Sequence, residues 1–65
     1  MVDLRGRKLF CAEYWMRVKH VDETTVTYDS FKTTSDGKIV TIGRDFKRSL
    51  SNVIWDIENG HLQIE

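Results

Sequence analysis

Near the C-terminus, two runs of alternating apolar and polar residues flank an Asn-Gly pair. The runs cover residues 52–58 and 61–64, and Asn59-Gly60 lies between them. Asn-Gly is typical of a two-residue type I′ turn, because both central residues of that turn need a positive φ. One face of the resulting hairpin would carry Val53, Trp55, Ile57, Leu62 and Ile64. The pattern therefore predicts a β-hairpin over residues 52–64.

A second turn signal, Ser35-Asp36-Gly37, separates two further strand-like runs. A two-residue loop would pair Thr34 with Ile39, whereas a three-residue loop with a left-handed glycine would pair Thr34 with Lys38. Side chains alternate between the two faces of a strand, so the loop length decides which residues share a face. The three-residue loop is favoured because it collects on one face Val26, Tyr28, Val40, Ile42 and Phe46.

The stretch from Lys8 to Val21 fits two templates. Its residue types tolerate a helix, but on a helical wheel its apolar residues scatter over most directions. As a strand, it places on one face Phe10, Ala12, Tyr14, Met16 and Val18. The opposite face mixes apolar and charged residues, namely Leu9, Cys11, Glu13, Trp15, Arg17, Lys19 and Val21. The strand is the better match.

Together these elements predict an all-β, mainly antiparallel fold. An apolar sheet face without a covering helix must curl on itself or pair with another copy. We therefore expect a five-stranded meander curled into a small SH3-like or OB-like barrel, with residues 45–51 as a connection. The alternative is an α+β fold with an N-terminal helix on a four-stranded sheet. Residues 1–65 form one domain by length, and residues 1–7 are expected to be a mobile basic arm.

Composition limits the chemistry of the chain. Ten Lys and Arg balance ten Asp and Glu, so no overall field attracts polyanions. A single cysteine excludes an intramolecular disulfide, and two histidines with one cysteine are too few for a closed zinc site. Aromatic packing or self-association is the remaining way to support so small a core. With no membrane-length apolar run and one thiol, we expect a cytoplasmic protein without membrane, metal or cofactor.

Candidate catalytic residues do not assemble along this sequence. Cys11 is the one thiol, and His20 lies nine residues away on the same predicted strand. At ~3.3 Å per residue that separation is about 30 Å, so the two side chains cannot meet unless the strand folds back. His61 could approach Cys11 only through tertiary structure, and Asp56 and Glu58 have the pattern of solvated positions. The sequence predicts a protein that is not an enzyme and binds no small-molecule substrate.

The mixed strand face is the strongest candidate for recognition. It combines aromatic and arginine side chains with aliphatic ones, which is typical of protein–protein interfaces. The predicted contact residues are Leu9, Cys11, Trp15, Arg17, Lys19 and Val21. An open sheet edge would offer a partner further backbone pairing. We therefore expect a binding or regulatory module whose partner is another protein or a second copy in a homodimer. Small β-domains of this kind are common among phage- and plasmid-encoded regulators.

Nucleic-acid binding is the alternative function. Basic side chains beside an aromatic ring can follow phosphates while a base stacks on the ring. The residues that would serve are Arg5, Arg7, Lys8, Trp15, Arg17 and Lys19. The neutral net charge and the absence of an aromatic RNP sequence count against this hypothesis.

Overall fold

The structure, a computed structural model, describes residues 3–65, which form five strands and one helix. The elements are β1 (Lys8–Phe10), β2 (Trp15–Val21), β3 (Thr25–Thr33), β4 (Ile39–Ser49), α1 (Leu50–Glu58) and β5 (Gln63–Ile64). The strands form one antiparallel sheet in the order β4-β3-β2-β1-β5. The predicted mainly antiparallel five-stranded fold is confirmed. The predicted barrel does not form, because the sheet stays open and α1 covers its apolar face. The alternative fold, with an N-terminal helix, does not form either, since the helix follows β4.

The predicted single strand over residues 8–21 is wrong, because the chain folds back in its middle. Strands β1 and β2 form a hairpin whose turn covers residues 11–14, and the Cys11 N–H donates to the Tyr14 carbonyl at 3.0 Å. The reversal places Leu9 opposite Met16 and Phe10 opposite Trp15. An uninterrupted strand would place Leu9 on the same face as Trp15. After the reversal, Leu9 instead shares a face with Met16.

The predicted C-terminal hairpin is also wrong, since residues 50–58 form helix α1. Apolar residues recur at helical spacing, i, i+3, i+4 and i+7, at Leu50, Val53, Ile54 and Ile57. The helix begins after Ser49, whose Oγ accepts the Asn52 N–H at 3.4 Å.

The Asn-Gly pair ends this helix. Gly60 has a φ of 79°, while Asn59 has a φ of −96° that a type I′ turn does not permit. The N–H groups of Gly60 and His61 donate to the carbonyls of Ile57 and Asp56, at 3.2 and 2.8 Å. This pair of bonds is the Schellman motif, in which glycine supplies the left-handed residue.

The hairpin between β3 and β4 has the predicted three-residue loop. The Thr34 N–H donates to the Lys38 carbonyl at 2.8 Å, and Gly37 has a φ of 86°. Beyond this loop the pairing register shifts twice, around Ile42 and around Asp45. Only the β3 half of the predicted apolar face, Val26 and Tyr28, is buried.

The core lies between one face of the sheet and helix α1. Its buried apolar residues are Leu4, Leu9, Met16, Val18, Val26, Tyr28, Val53 and Leu62. Leu4 belongs to the predicted mobile arm, but residues 3–7 pack on the sheet: the Gly6 N–H donates to the Val18 carbonyl and the Val18 N–H to the Arg7 carbonyl, both at 3.0 Å. The first two residues of that arm lie outside the described part of the chain.

Candidate binding surfaces

The six predicted interface residues do not share a surface. Leu9 is fully buried in the core, and Cys11 and Val21 are partly buried against it. Trp15, Arg17 and Lys19 lie on the opposite side of the sheet, which we call the outer face. The strand reversal at residues 11–14 puts Leu9 and Trp15 on different faces. The register shift between Val18 and His20 then places Val21 on the core side of β2.

Three aromatic side chains form a row across the outer face, which we call the aromatic row. The Trp15 ring stacks on Phe31 with centroids 4.6 Å apart and on Phe10 with centroids 5.9 Å apart. The Lys8 ammonium lies 5.3 Å from the Trp15 ring centroid. The sheet register sets the row, since Trp15 is opposite Phe10 on β1 and Phe31 on β3. Phe10 and Phe31 were not predicted as its members, because that register cannot be read from local patterns.

The aromatic row packs side chain against side chain across three neighbouring strands. Neighbouring strands lie ≈4.8 Å apart, so rings that stack on one another across strands present mainly their edges to solvent. The interplanar angles of 26° and 27° fit this arrangement. Both faces of the Trp15 ring are therefore occupied by its neighbours, which leaves little of the ring on which a nucleic-acid base could stack.

The predicted basic residues divide into two groups. Arg7, Lys8 and Arg17 line one shallow depression together with Gly6 and Glu65. Within it, the Arg7 guanidinium donates to the Glu65 backbone carbonyl at 2.8 Å.

The remaining two basic residues have acidic partners. Arg5 pairs with Asp3 at 3.1 Å, and Lys19 lies between Asp45 at 2.5 Å and Asp29 at 3.5 Å. The hydrogen bond from Lys19 to Asp45 raises the pKa of Lys19, with Asp29 adding to the effect. These pairs reduce the positive charge available to a polyanion.

Cys11 lies in the turn between β1 and β2 and is partly buried against the core. Its thiol donates to the Tyr14 carbonyl at 3.4 Å. Cys11 and His61 do line one open depression, so tertiary structure brings them to the same region. Burial and the nearby Cys11 raise the pKa of Tyr14. Across residues 3–65, no group of three His, Cys, Asp or Glu side chains is placed to hold a metal ion.

Four exposed large apolar side chains lie on β4, a strand at the open edge of the sheet. The exposed fractions are 64% for Ile39, 43% for Val40, 50% for Ile42 and 42% for Phe46. With 11 residues, β4 is also the longest strand of the described chain. We call residues 39–42 the apolar edge. The sequence pattern placed Val40 and Ile42 on one apolar sheet face with Val26 and Tyr28, but their exposure depends on the strand order, which puts β4 at the edge.

Comparisons with protein-family models, curated proteins and solved structures found no match to this chain. Among residues 3–65, no helix has the length and apolar character needed to cross a bilayer.

Proposed function

We propose that this chain is a non-catalytic binding or regulatory module that acts through a protein–protein interface at the apolar edge. The observation that carries the proposal is the exposure of Ile39, Val40 and Ile42 on an edge strand. An edge strand presents unpaired N–H and C=O groups, and a partner strand can pair with them. The apolar side chains on either side would then be covered by the partner.

A matched set of variants tests this proposal. The double substitution Val40→Lys with Ile42→Lys places two charges on the apolar edge, at positions that are already exposed. Trp55→Lys is the control, because Trp55 is an apolar residue of similar exposure, 56%, on helix α1. All three chains should give the same circular dichroism spectrum and nearly the same melting temperature.

The readout is affinity capture from a cell extract supplemented with an untagged copy of the chain. We expect the wild-type and Trp55→Lys chains to retain the same proteins, and the double variant to lose them. Retention of the same proteins by all three chains would refute an interface at the apolar edge.

Nucleic-acid binding is the second candidate, and one observation favours it. Arg7, Lys8 and Arg17 converge on a single depression next to the aromatic row. Three cations that line one depression could contact phosphates of a single strand, with affinity that falls as salt rises. The Trp15 ring would contribute through its edge, since both of its faces are occupied.

Fluorescence polarisation of labelled single-stranded DNA and RNA tests the second candidate. The charge reversals Lys8→Glu and Arg17→Glu should abolish binding, whereas Lys47→Glu, on the distant strand β4, should leave most of it. Absence of binding by the wild-type chain at low salt would eliminate this function.

A further inference from the structure

We propose that the partner at the apolar edge is a second copy of this chain, with two β4 strands pairing antiparallel about a two-fold axis at Thr41. This inference rests on the proposed function, because it names the partner for the same surface. The two sheets would then join into one continuous ten-stranded sheet, twice the five strands of one copy.

The apolar edge carries none of the charged side chains that usually keep sheet edges apart. Natural edge strands avoid association through charged side chains, bulges or very short length. From residue 43 onward, β4 has such protection, since it carries Arg44, Asp45, Lys47 and Arg48 and a bulge at Asp45. Residues 39–42 are Ile-Val-Thr-Ile and carry no charge, and the one irregularity in this segment is the register shift around Ile42. At the other end of the sheet, β5 has two residues.

The backbone of the apolar edge is oriented for pairing at Thr41. In an antiparallel ladder, hydrogen-bonded and non-hydrogen-bonded pairs alternate. The bond from the Thr34 N–H to the Lys38 carbonyl fixes the phase of this alternation. Counting from that bond, Ile39 and Thr41 form non-hydrogen-bonded pairs with β3, so their N–H and C=O groups point toward the open edge. Two copies can therefore exchange a pair of hydrogen bonds at Thr41.

The same register brings apolar side chains together. A two-fold axis perpendicular to the sheet keeps the core-side faces of both copies on the same side of the joined sheet. Opposing residues then have their side chains on the same face, so the sum of their residue numbers is even. Centred on Thr41, the register pairs residues 40–42 with the same segment of the second copy, up to the register shift around Ile42. Val40 then lies opposite Ile42 of the second copy, and Ile42 opposite its Val40. These two side chains are 43% and 50% exposed in one copy and would be covered in the dimer.

One alternative apolar register, which pairs Ile42 with Phe46, is unfavourable. Pairing Ile42 with Phe46 of the second copy would centre the axis on Arg44, opposite itself, and would place the bulge at Asp45 inside the ladder.

In the Thr41 register the nearest like charges are Lys38 and Arg44 of the second copy. Each has an aspartate in its own chain, Asp36 at 3.9 Å from Lys38 and Asp29 at 3.5 Å from Arg44. The chain has no net charge, so two copies do not repel at long range.

Sedimentation equilibrium of the purified full chain tests the association. We expect the wild-type and Trp55→Lys chains to show twice the monomer mass as concentration rises. The double variant Val40→Lys with Ile42→Lys should remain monomeric, because its register brings four lysines together. Its circular dichroism spectrum must match that of the wild type, which separates loss of pairing from loss of fold.

Disulfide trapping tests the register. In a Cys11→Ser background, Thr41→Cys places two cysteines at the axis with Cα atoms about 5.5 Å apart, within disulfide reach. The control is Ile39→Cys, whose two copies lie about 13 Å or more apart, because they are separated by four residues at ~3.4 Å each. We expect the first variant to form a covalent dimer under mild oxidation and the second to stay largely monomeric.

The outcomes separate this inference from the proposed function. A wild-type chain that stays monomeric at every concentration refutes the second copy as partner, whereas the proposed function stands if capture of other proteins still depends on the apolar edge. A dimer that survives the double variant places self-association on another surface and refutes this inference. Efficient trapping through Ile39→Cys and not through Thr41→Cys refutes the register.

Discussion

At the scale of single residues, Asp45 is the one non-glycine residue with a positive φ among residues 3–65. Its φ of 57° lies in the left-handed region, which costs an L-residue roughly 1–2 kcal/mol. The bulge points the Asp45 N–H at Asp29, whose Oδ1 accepts it at 3.0 Å. Lys19 and Arg44 surround the same carboxylate at 3.5 Å each. This bulge therefore gathers the charged groups of the outer face around Asp29 and ends the regular part of β4.

Substitution of Asp45 should separate backbone cost from side-chain contacts. Asp45→Gly and Asp45→Ala both remove the exposed ion pair with Lys19, but only glycine adopts the left-handed conformation without strain. We expect the glycine variant to be more stable than the alanine variant by about 1 kcal/mol, measured by urea unfolding. Equal stabilities would mean that residue 45 does not hold a positive φ in solution.

Asp29 should make the stability of the fold depend on acid pH. The hydrogen bond from the Asp45 N–H, with Lys19 and Arg44, lowers the pKa of Asp29 below its ordinary value of 3.8. Because the pKa is lower in the folded state, the carboxylate stabilises the fold above about pH 4, and this contribution is lost as pH falls through the folded-state pKa.

The variant Asp29→Asn keeps an oxygen for the Asp45 N–H but cannot titrate. Its melting temperature should fall less steeply than that of the wild type between about pH 4 and about pH 2. The melting temperature of the variant will still fall with pH, since hydrogen bonds also lower the pKa of Asp22 and Asp36. Parallel curves for the two proteins would contradict the role assigned to Asp29.

At the scale of elements, the sequence predicts a strand correctly where turn chemistry and side-chain period agree on one structure. Gly37 and the alternation along β3 both favour the three-residue loop, and that loop forms. Residues 50–58 satisfy two patterns at once, because Val53, Trp55 and Ile57 alternate while helical spacing also holds. Gly60 is suitable both for a hairpin turn and for a helix end, so the local pattern cannot distinguish a hairpin from a helix in this segment.

The turn at residues 11–14 cannot be predicted from the sequence, for a different reason. It contains no glycine, proline or asparagine to mark it. The proximity of Trp15 and Arg17 on one face survives this error, because both residues follow the turn. Leu9 precedes it and moves to the core, and the exposure of Ile39 depends on strand order, which no local pattern contains.

Two alanine substitutions distinguish the helix end from the hairpin turn. A type I′ turn needs a positive φ at both Asn59 and Gly60, but in the structure only Gly60 has one. Gly60→Ala should therefore cost about 1 kcal/mol of folding free energy. No described atom lies within 4 Å of the added Cβ, so this cost is purely one of backbone conformation.

Asn59→Ala should cost only a few tenths of a kcal/mol, since it removes one exposed bond to the Trp55 carbonyl. Both free energies come from chemical unfolding followed by circular dichroism. Comparable losses for the two variants would favour the hairpin turn over the helix.

At the scale of the whole molecule, the fold depends on a very small core. Eight apolar residues are buried, drawn from the N-terminal segment, three strands, the helix and the segment before β5. Total stability at 0.05–0.15 kcal/mol per residue is roughly 3–10 kcal/mol for a chain of this length. Each core side chain therefore carries a large share of it, whereas Ile39, Val40 and Ile42 remain 64%, 43% and 50% exposed and are available to a partner.

Leu9 separates these two roles, because it was predicted to contact a partner and is fully buried instead. Leu9→Ala should cost about 2–5 kcal/mol through lost burial and the cavity that remains, which is most of the stability available. We expect a large fall in melting temperature and weaker binding that recovers when the sample is cooled or a stabilising osmolyte refolds it. Ile39→Ala is the control, since Ile39 is 64% exposed and its loss should leave the melting temperature of the monomer nearly unchanged. If Leu9→Ala kept wild-type stability and lost only binding, Leu9 would be a contact residue and would not belong to the core.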